Sequence, residues 1–381
     1  MASRNCRRCR NAVGGHGCFS SNAKTSSESR KRSRSIVNQE ASSEAFRSHV
    51  QKRIAGLCKP PGSLGSIERV AEQLCATQAT LDPRTSPRHV AIFAADHGVA
   101  AERVSAWPSS VTRAVFEQMQ GARTASGAFA RALECSYEVV DVGMLEPVAA
   151  YRDAGLNRSS RRGTGNLCLE PAMNEAEFQR AWSVGAERAA AAVDAGNRLL
   201  IGGEMGIGNT TSATCLIALL CEVDDQRHVA SLVGMGAGAD ADQLARKREV
   251  VQTAVRRVRA AGLEQPRQVG CQVGGFEIAA LAGFYAGCGE RRCTTIVDGL
   301  IATSAALLAD AIRPGTRRSM LAGHRSTEPA HQVALDRLGL EPIQDLNMCL
   351  GEGTGALAAL PIVDLAAAMM NDMASLDELE L

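Results

Sequence analysis

The amino-acid sequence predicts an α/β fold in which a mostly parallel sheet is covered by helices on both faces. Short apolar runs end repeatedly in Gly/Asp/His loops, and longer Ala/Arg/Glu/Leu stretches of helical pattern separate them. Strands alternating with helices imply a parallel sheet, because a parallel pair needs a long crossover that a helix normally supplies. The composition agrees: 381 residues, 45% hydrophobic but only 3% aromatic, describe a sizeable Ala/Gly-rich core.

Five runs are expected as strands. His89–Ala94 leads into Asp96-His97-Gly98, and Tyr137–Val140 into Asp141-Val142-Gly143. Arg198–Ile201 leads into Gly202-Gly203-Glu204, Thr294–Val297 into Asp298-Gly299, and Met320–Ala322 into Gly323-His324-Arg325-Ser326. Helices are expected over Glu175–Ala195, Ala213–Leu220 and Ala241–Ala261. A terminal apolar run, Gly355–Met370, is interrupted by Pro361 and Asp364. It falls short of the roughly 20 residues of a membrane span and reads as a buried helix, so no membrane partner is expected. There is no internal repeat. Polar residues gather behind the strands, at the carboxyl edge where open α/β sheets bind ligands.

The texture changes near residue 45. Residues 1–44 are rich in Ser and Arg, including Arg30-Lys31-Arg32-Ser33-Arg34, with few acidic residues. This is the composition of a disordered, targeting-like tail of the organellar transit type, mitochondrial or plastid. A nuclear or nucleic-acid patch lacks the aromatic interleaving that RNA readers use, and a plain disordered tail is the third reading. Otherwise the chain is expected in the cytoplasm. Residues 45–381 form the expected catalytic domain. A net charge of +1 gives no field for nucleic acid or membrane. Thirteen cysteines, mostly single in apolar segments, read as reduced thiols, and Cys6 and Cys9 have no second pair at zinc spacing. No metal site is expected.

Three glycine-rich loops carry the chemistry. Gly202–Ser212 follows a strand and opens a helix, whose free N–H groups suit an anion; Thr and Ser are its candidate caps. Gly203 and Gly208 have P-loop spacing, but Asn209-Thr210 replaces the Lys-Ser/Thr pair, so a single phosphate or a ribose fits better than a triphosphate. Val233–Gly238 leads to a helix bearing Lys247, which either reaches back to a phosphate or lies on a solvated face. Leu350-Gly351-Glu352-Gly353-Thr354-Gly355-Ala356 places one carboxylate among glycines before an apolar helix. Poor solvation there raises a carboxyl pKa and suits a general base; a plain turn is the alternative. Asp96-His97 is either a catalytic dyad or a strand-end Asp holding backbone amides. No acidic run marks a phosphoribosyl-pyrophosphate transferase, and no G-x-S-x-G marks a hydrolase.

In order along the chain stand Lys59-Pro60-Pro61-Gly62-Ser63-Leu64-Gly65, Ala94–Val99, Val104–Pro108, Gly163–Asn166, Gly203–Thr211, Val273–Glu277, Val297-Asp298-Gly299, His324–Glu328 and Leu350–Gly355. With these motifs the sequence resembles the nicotinate-nucleotide–dimethylbenzimidazole phosphoribosyltransferases of cobalamin lower-ligand assembly, from about Phe46 to Ser375. The resemblance implies a Rossmann-like large domain and a smaller lobe built from both chain ends, in a homodimer. It implies transfer of phosphoribose from nicotinate mononucleotide to 5,6-dimethylbenzimidazole, with inversion to α-ribazole 5′-phosphate and no cofactor. Glu352 matches the family's general base, and Glu204, Gly206 and Gly208 match positions at the ribose and phosphate. Lys247 and Ser326 match phosphate-holding positions, and Ser105, Met205 and Leu350, followed by Gly351, match the pocket for the aromatic base. Two departures stand out. Cys349 replaces the usual arginine, which lowers nucleotide affinity unless Arg325 or another cation compensates. That substitution motivates the alternative of a catalytically weak benzimidazole- or riboside-binding protein of the same fold. Ala330 replaces a glycine, which matters little if its φ is negative.

Overall fold

The computed structural model describes residues 44–379 apart from 147, 149–157, 237 and 239. The Ser/Arg-rich tail, with Cys6 and Cys9, lies outside the described residues save for residue 44. The chain divides into two compact units, residues 1–49 and 50–381. Of the first, residues 44–49 are described and are helical. Everything below concerns the second.

Six strands form one all-parallel sheet: β1 (Arg88–Ala95), β2 (Ser136–Gly143), β3 (Leu199–Met205), β4 (Thr294–Val297), β5 (Met320–His324) and β6 (Pro342–Gln344), in the order β2-β1-β3-β4-β5-β6. The five expected strands are present. The sixth, three residues at the sheet edge, begins with a proline, which an edge strand tolerates. Interior strand β1 is buried from Val90 to Ala95, the continuous apolar run that a strand covered on both faces requires. The chain leaves β1 for β2 on one side, then returns to β3 on the other. That reversal creates a crevice at the carboxyl ends of β1 and β3, where Phe93 pairs with Glu204 and Ala94 with Met205.

Adjacent residues of β3 show what covers each face. A Cβ on Gly202 would meet Leu281 and Tyr285, whereas one on Gly203 would lie 2.7 Å from the Glu352 carbonyl carbon. Successive strand residues face opposite ways, so helix packing covers one side and the Glu352 loop lies directly on the other. The helices in chain order are α1 (Ser66–Gln78), α2 (Ser110–Gln120), α3 (Ala125–Ala132), α4 (Glu175–Asp194), α5 (Asn209–Leu220), α6 (Gln226–Ser231), α7 (Ala241–Ala260), α8 (Pro266–Val273), α9 (Phe276–Glu290), α10 (Leu300–Ile312), α11 (Pro329–Leu338) and α12 (Thr354–Asp372). Helix α9 carries Leu281 and Tyr285 and packs against α4 and α10. Capping boxes start α4 (Asn174 with Glu177) and α7 (Asp240 with Gln243).

Helix α12 corrects one expectation: at 19 residues it is long and apolar enough by composition to cross a membrane. A buried core helix passes the same test, and 61% of its most apolar window is buried inside the molecule. It packs on α1 and β5, and Pro361 sits within it. Near its end the chain returns to its beginning. Leu57 bridges Ser375, Cys58 N–H donates to Ala374 O at 2.8 Å, and Leu376 N–H to Gly56 O at 2.8 Å.

Candidate active site

Glu352 lies where the crevice meets α12. Gly351, Glu352 and Gly353 have φ of +89°, +60° and +76°, three successive left-handed residues. Glycine adopts this conformation freely; a glutamate does so at a cost of about 1–2 kcal/mol. The loop is held from beneath by Asp298, just past β4. Its Oδ2 accepts from Gly353 N–H at 3.0 Å, and its Oδ1 from Gly355 at 2.7 Å and Ala356 at 3.0 Å. Asp298 therefore supplies the acceptor for amides at the start of α12, whose own N-cap position, Gly353, has no side chain to offer.

Glu352 is only 8% exposed, and its carboxylate points at the start of α3. Ser126 Oγ donates to its Oε2 at 3.1 Å, and the Thr124 hydroxyl and Ser126 N–H add further bonds. Burial pushes its carboxyl above the ordinary carboxylate range, against the pull of those donors. Its backbone N–H donates to the carboxylate of Glu204, and a Cβ on Gly351 would lie 2.5 Å from Glu204 Oε1. Glu204, next to last in β3, is buried. Burial, then the nearby Asp298 and Glu277 carboxylates, raise its pKa well above the usual range. Asn209, standing where a P-loop carries lysine, donates its amide to Glu204 Oε2. Two expected site residues, Glu352 and Glu204, are thus in direct contact.

The loop after β3 rests on a buried histidine–glutamate contact. His97 Nε2 lies 2.5 Å from Glu277 Oε1, with both side chains at 0% exposure, and a Cβ on Gly206 would lie 3.4 Å from that imidazole. Asp96 Oδ2 accepts from Leu145 N–H at 2.8 Å and from the Thr112 hydroxyl, while Ile207 N–H donates to Thr112 Oγ1 at 3.2 Å. Asp96 therefore holds backbone and loop, the second of its two expected readings. Helix α5 starts at Asn209 with left-handed Gly208 (φ +99°) as its N-cap, four residues before the expected start. Thr and Ser are not its caps: Ser212 Oγ turns away to Val273 O at 2.5 Å.

A second cluster gathers the remaining polar residues. Lys247 is 1% exposed, not solvated, and donates Nζ to Gly234 O at 3.0 Å. Burial lowers its pKa while the Glu328 carboxylate pulls it back up. Glu328 Oε1 accepts from Gly236 N–H at 2.8 Å, and a Cβ on Gly236 would lie 3.5 Å from Lys247 Nζ and 3.6 Å from Thr210 Oγ1. Ser326 N–H donates to His331 Nδ1 at 2.9 Å, which leaves Nε2 as the protonated nitrogen, 2.9 Å from Thr303 Oγ1. Burial and the neighbouring His324 and Arg325 push the His331 pKa down to about 3. Thr210 and Asn209 join this cluster to the Glu204–Glu352 pair.

The remaining expected residues are more open. Ser105 and Met205 are half-buried and Leu350 is 54% exposed. Ser105 Oγ accepts from Trp107 N–H at 3.2 Å. Cys349 is an exposed free thiol, and Arg325, the candidate compensating cation, has its Nε 3.7 Å from Asp345. Ala330 falls within α11 and has no positive φ, so its replacement of glycine is strain-free. Among the described residues no group of three His, Cys, Asp or Glu side chains is arranged to hold a metal.

Two clefts of about 520 Å³ lie elsewhere. One is lined by Arg161, Met173, Leu263 and Cys271. The other is lined by Arg84, Arg198, Arg291 and Arg292, beside the carboxyl ends of α4 and α9. Cations there offset helix dipoles, and an anion would meet those same negative ends. The convergence of buried carboxylates and glycine loops at the strand-order reversal is the stronger candidate.

Comparison with known proteins shows the family. A phosphoribosyltransferase family, DBI_PRT, matches residues 39–380. The chain is 41% identical over 332 residues to the nicotinate-nucleotide–dimethylbenzimidazole phosphoribosyltransferase of Chromobacterium violaceum, covering 87% of this chain and 94% of that one. It is 40% identical over 326 residues to the Thermus thermophilus enzyme of the same name, covering 86% and 95%. The crystal structure of CobT from Thermus thermophilus superposes with a TM-score of 0.82 at 39% identity, covering 88% of this chain and 98% of that chain.

Proposed function

The chain belongs to the nicotinate-nucleotide–dimethylbenzimidazole phosphoribosyltransferase family and is an enzyme of that kind, and from that premise we propose that it transfers phosphoribose from nicotinate mononucleotide to 5,6-dimethylbenzimidazole with Glu352 as the base. The observation that carries the reading is the buried Glu352 carboxylate at the crevice, on a residue whose backbone N–H bonds Glu204. One benzimidazole nitrogen attacks the anomeric carbon while Glu352 takes the proton from the other. The glycosidic C–N bond breaks, and its electron pair returns to the pyridinium nitrogen, so nicotinate leaves with a neutral ring. Attack opposite the leaving group inverts the β-nucleotide to α-ribazole 5′-phosphate. No charge has to be neutralised by a metal; the site supplies position and a base.

Glu204, whose raised pKa favours its protonated form, is assigned with Gly206 and Gly208 to the ribose and phosphate. Lys247 and Ser326 are assigned to the phosphate, Ser105, Met205 and Leu350 to the wall of the aromatic pocket, and Gly351 to substrate binding. A homodimer is part of this reading, as is a targeting role for residues 1–44, with residues 45–381 as the catalytic domain. Nicotinate release from nicotinate mononucleotide and dimethylbenzimidazole, by wild type and Glu352→Gln, tests the chemistry. Release that collapses in the variant while benzimidazole still binds supports it. Binding of the base by wild type with no release would favour the second reading, a weakly catalytic benzimidazole or riboside binder, which exposed Cys349 in place of an arginine motivates.

A further inference from the structure

Resting on Glu352 as the base, we infer that Ser126, backed by Tyr137, is a positioning residue whose hydroxyl holds the Glu352 carboxyl in both its ionised and its protonated state. The Ser126 side chain is fully buried at the start of α3. Its Oγ lies 3.1 Å from Glu352 Oε2, 3.0 Å from the Tyr137 hydroxyl and 2.9 Å from Thr124 Oγ1. The fold fixes this triangle: Tyr137 sits on β2 opposite Val90 of β1, and Thr124 is the N-cap position of α3.

Counting protons assigns the directions. An ionised carboxylate only accepts, so Ser126 must spend its one proton on Glu352. The Ser126–Tyr137 contact is then made by the phenol, which donates to Ser126 Oγ. Once Glu352 has taken the proton from the attacking base, its own O–H donates to Ser126 Oγ, and Ser126 turns its proton to the Thr124 oxygen. No heavy atom has to move between the two states. A lysine or arginine in this place could only donate, and would favour the ionised glutamate over the protonated one it must become. Among the described residues no ion pair engages Glu352; its partners are hydroxyls and an amide. Hydroxyls suit a group that must gain and lose one proton in every turnover.

The test is steady-state kinetics and the pH profile of kcat for Ser126→Ala, Ser126→Thr and Tyr137→Phe, beside Glu352→Gln. Ser126→Ala is expected to lower kcat roughly tenfold to a hundredfold, the worth of a hydrogen bond to a charged group. KM for the nucleotide should stay within about twofold, since the lost bond does not touch the phosphate. The acidic limb should move to higher pH, because the ionised form has lost a donor. Ser126→Thr should restore both, and Tyr137→Phe should shift both in the same direction by less. Wild-type kcat and acidic limb in Ser126→Ala and Tyr137→Phe would overturn the inference, as would a kcat loss with an unmoved limb that threonine does not repair. Should Ser126→Ala fail to fold, half-buried Tyr137→Phe decides the matter by the same readout. Undiminished nicotinate release by Glu352→Gln is a separate result, and it would sink the base assignment itself.

Discussion

Replacing Asp298 separates the stability of the Glu352 loop from its chemistry. In Asp298→Asn the remaining carbonyl oxygen can still accept from Gly355 and Ala356, the two amides now bound by Oδ1. The new NH₂ group, however, faces the N–H of Gly353, which Oδ2 held at 3.0 Å. One charge-assisted bond is lost and one buried donor is orphaned, a cost of about 1.5–3 kcal/mol. With an unfolding entropy of about 2.1 cal/mol/K per residue, a domain of this size loses about 1.5 °C of Tm per kcal/mol. The expected shift is therefore roughly 2–5 °C for Asp298→Asn. Asp298→Ala loses all three bonds, about 4–6 kcal/mol, and falls by roughly 6–9 °C. Activity should fall further than stability, because Gly353 is the residue that fixes where Glu352 stands, and a displacement of about 1 Å can cost a hundredfold in rate. Thermal melts and nicotinate release at a temperature well below both transitions are the assays. An Asp298→Asn protein with lowered Tm but wild-type kcat would show that the loop keeps its geometry without Asp298. An Asp298→Ala protein with wild-type Tm would refute the capping altogether.

The rate should depend on pH through Glu352: a base must be ionised, so kcat falls on the acid side, with a midpoint above the ordinary carboxylate value because burial raises it. A pH–rate profile checks this, and a limb at the usual carboxylate value would contradict it. Glu204 has a raised folded pKa, so its contribution to stability is complete below the unfolded value of 4.5 and is lost as pH rises towards the folded one. Glu204→Gln should therefore melt higher relative to wild type as pH increases; a constant difference between pH 5 and 9 would argue against this. His331 has the opposite sign: its depressed pKa of about 3 gives stability that is present above 6.5 and lost as pH falls below it. In a nitrogen-detected spectrum of the folded protein, His331 should remain a neutral Nε2–H tautomer at pH 5, and an imidazolium there would contradict its burial. Lys247→Met should raise the KM for nicotinate mononucleotide roughly tenfold to a hundredfold while changing kcat less, whereas an unchanged KM would confine Lys247 to its bond with Gly234.

The strands were legible because each is an apolar run closed by a glycine or aspartate, and burial on both faces leaves no alternation to confuse the pattern. β6 was not, since three residues beginning with proline carry no period. Glu352 and Glu204 stood out as lone carboxylates among glycines, and the structure puts them in contact. The groups that hold them did not stand out. Ser126 is one serine among Ala and Gly at a helix start, and its partner Glu352 is 226 positions away. Asp298 belonged to a recognised motif, but its three bonds depend on β4 delivering it beneath a loop made much later in the chain. Lys247 looked as much like a solvated helix residue as a buried one, because its neighbours Arg246 and Arg248 are exposed. Such roles arise from tertiary closeness, which local pattern does not encode.

The joining of Leu57 to Ser375, and of α1 to α12, has a consequence for how the protein is made. Synthesis at about 5–20 residues per second leaves roughly 15–60 s between the first of these segments and the second. Throughout that interval the inner face of α1, with Val70, Leu74 and Cys75, has no partner from α12. Five strands can be in place on the ribosome, yet the glutamate that we assign as the base, and the helix that seats it, follow every strand in chain order. The nascent enzyme is thus a fold with its sheet formed that cannot yet act, with an apolar helix exposed for chaperones to hold, until α12 closes on α1.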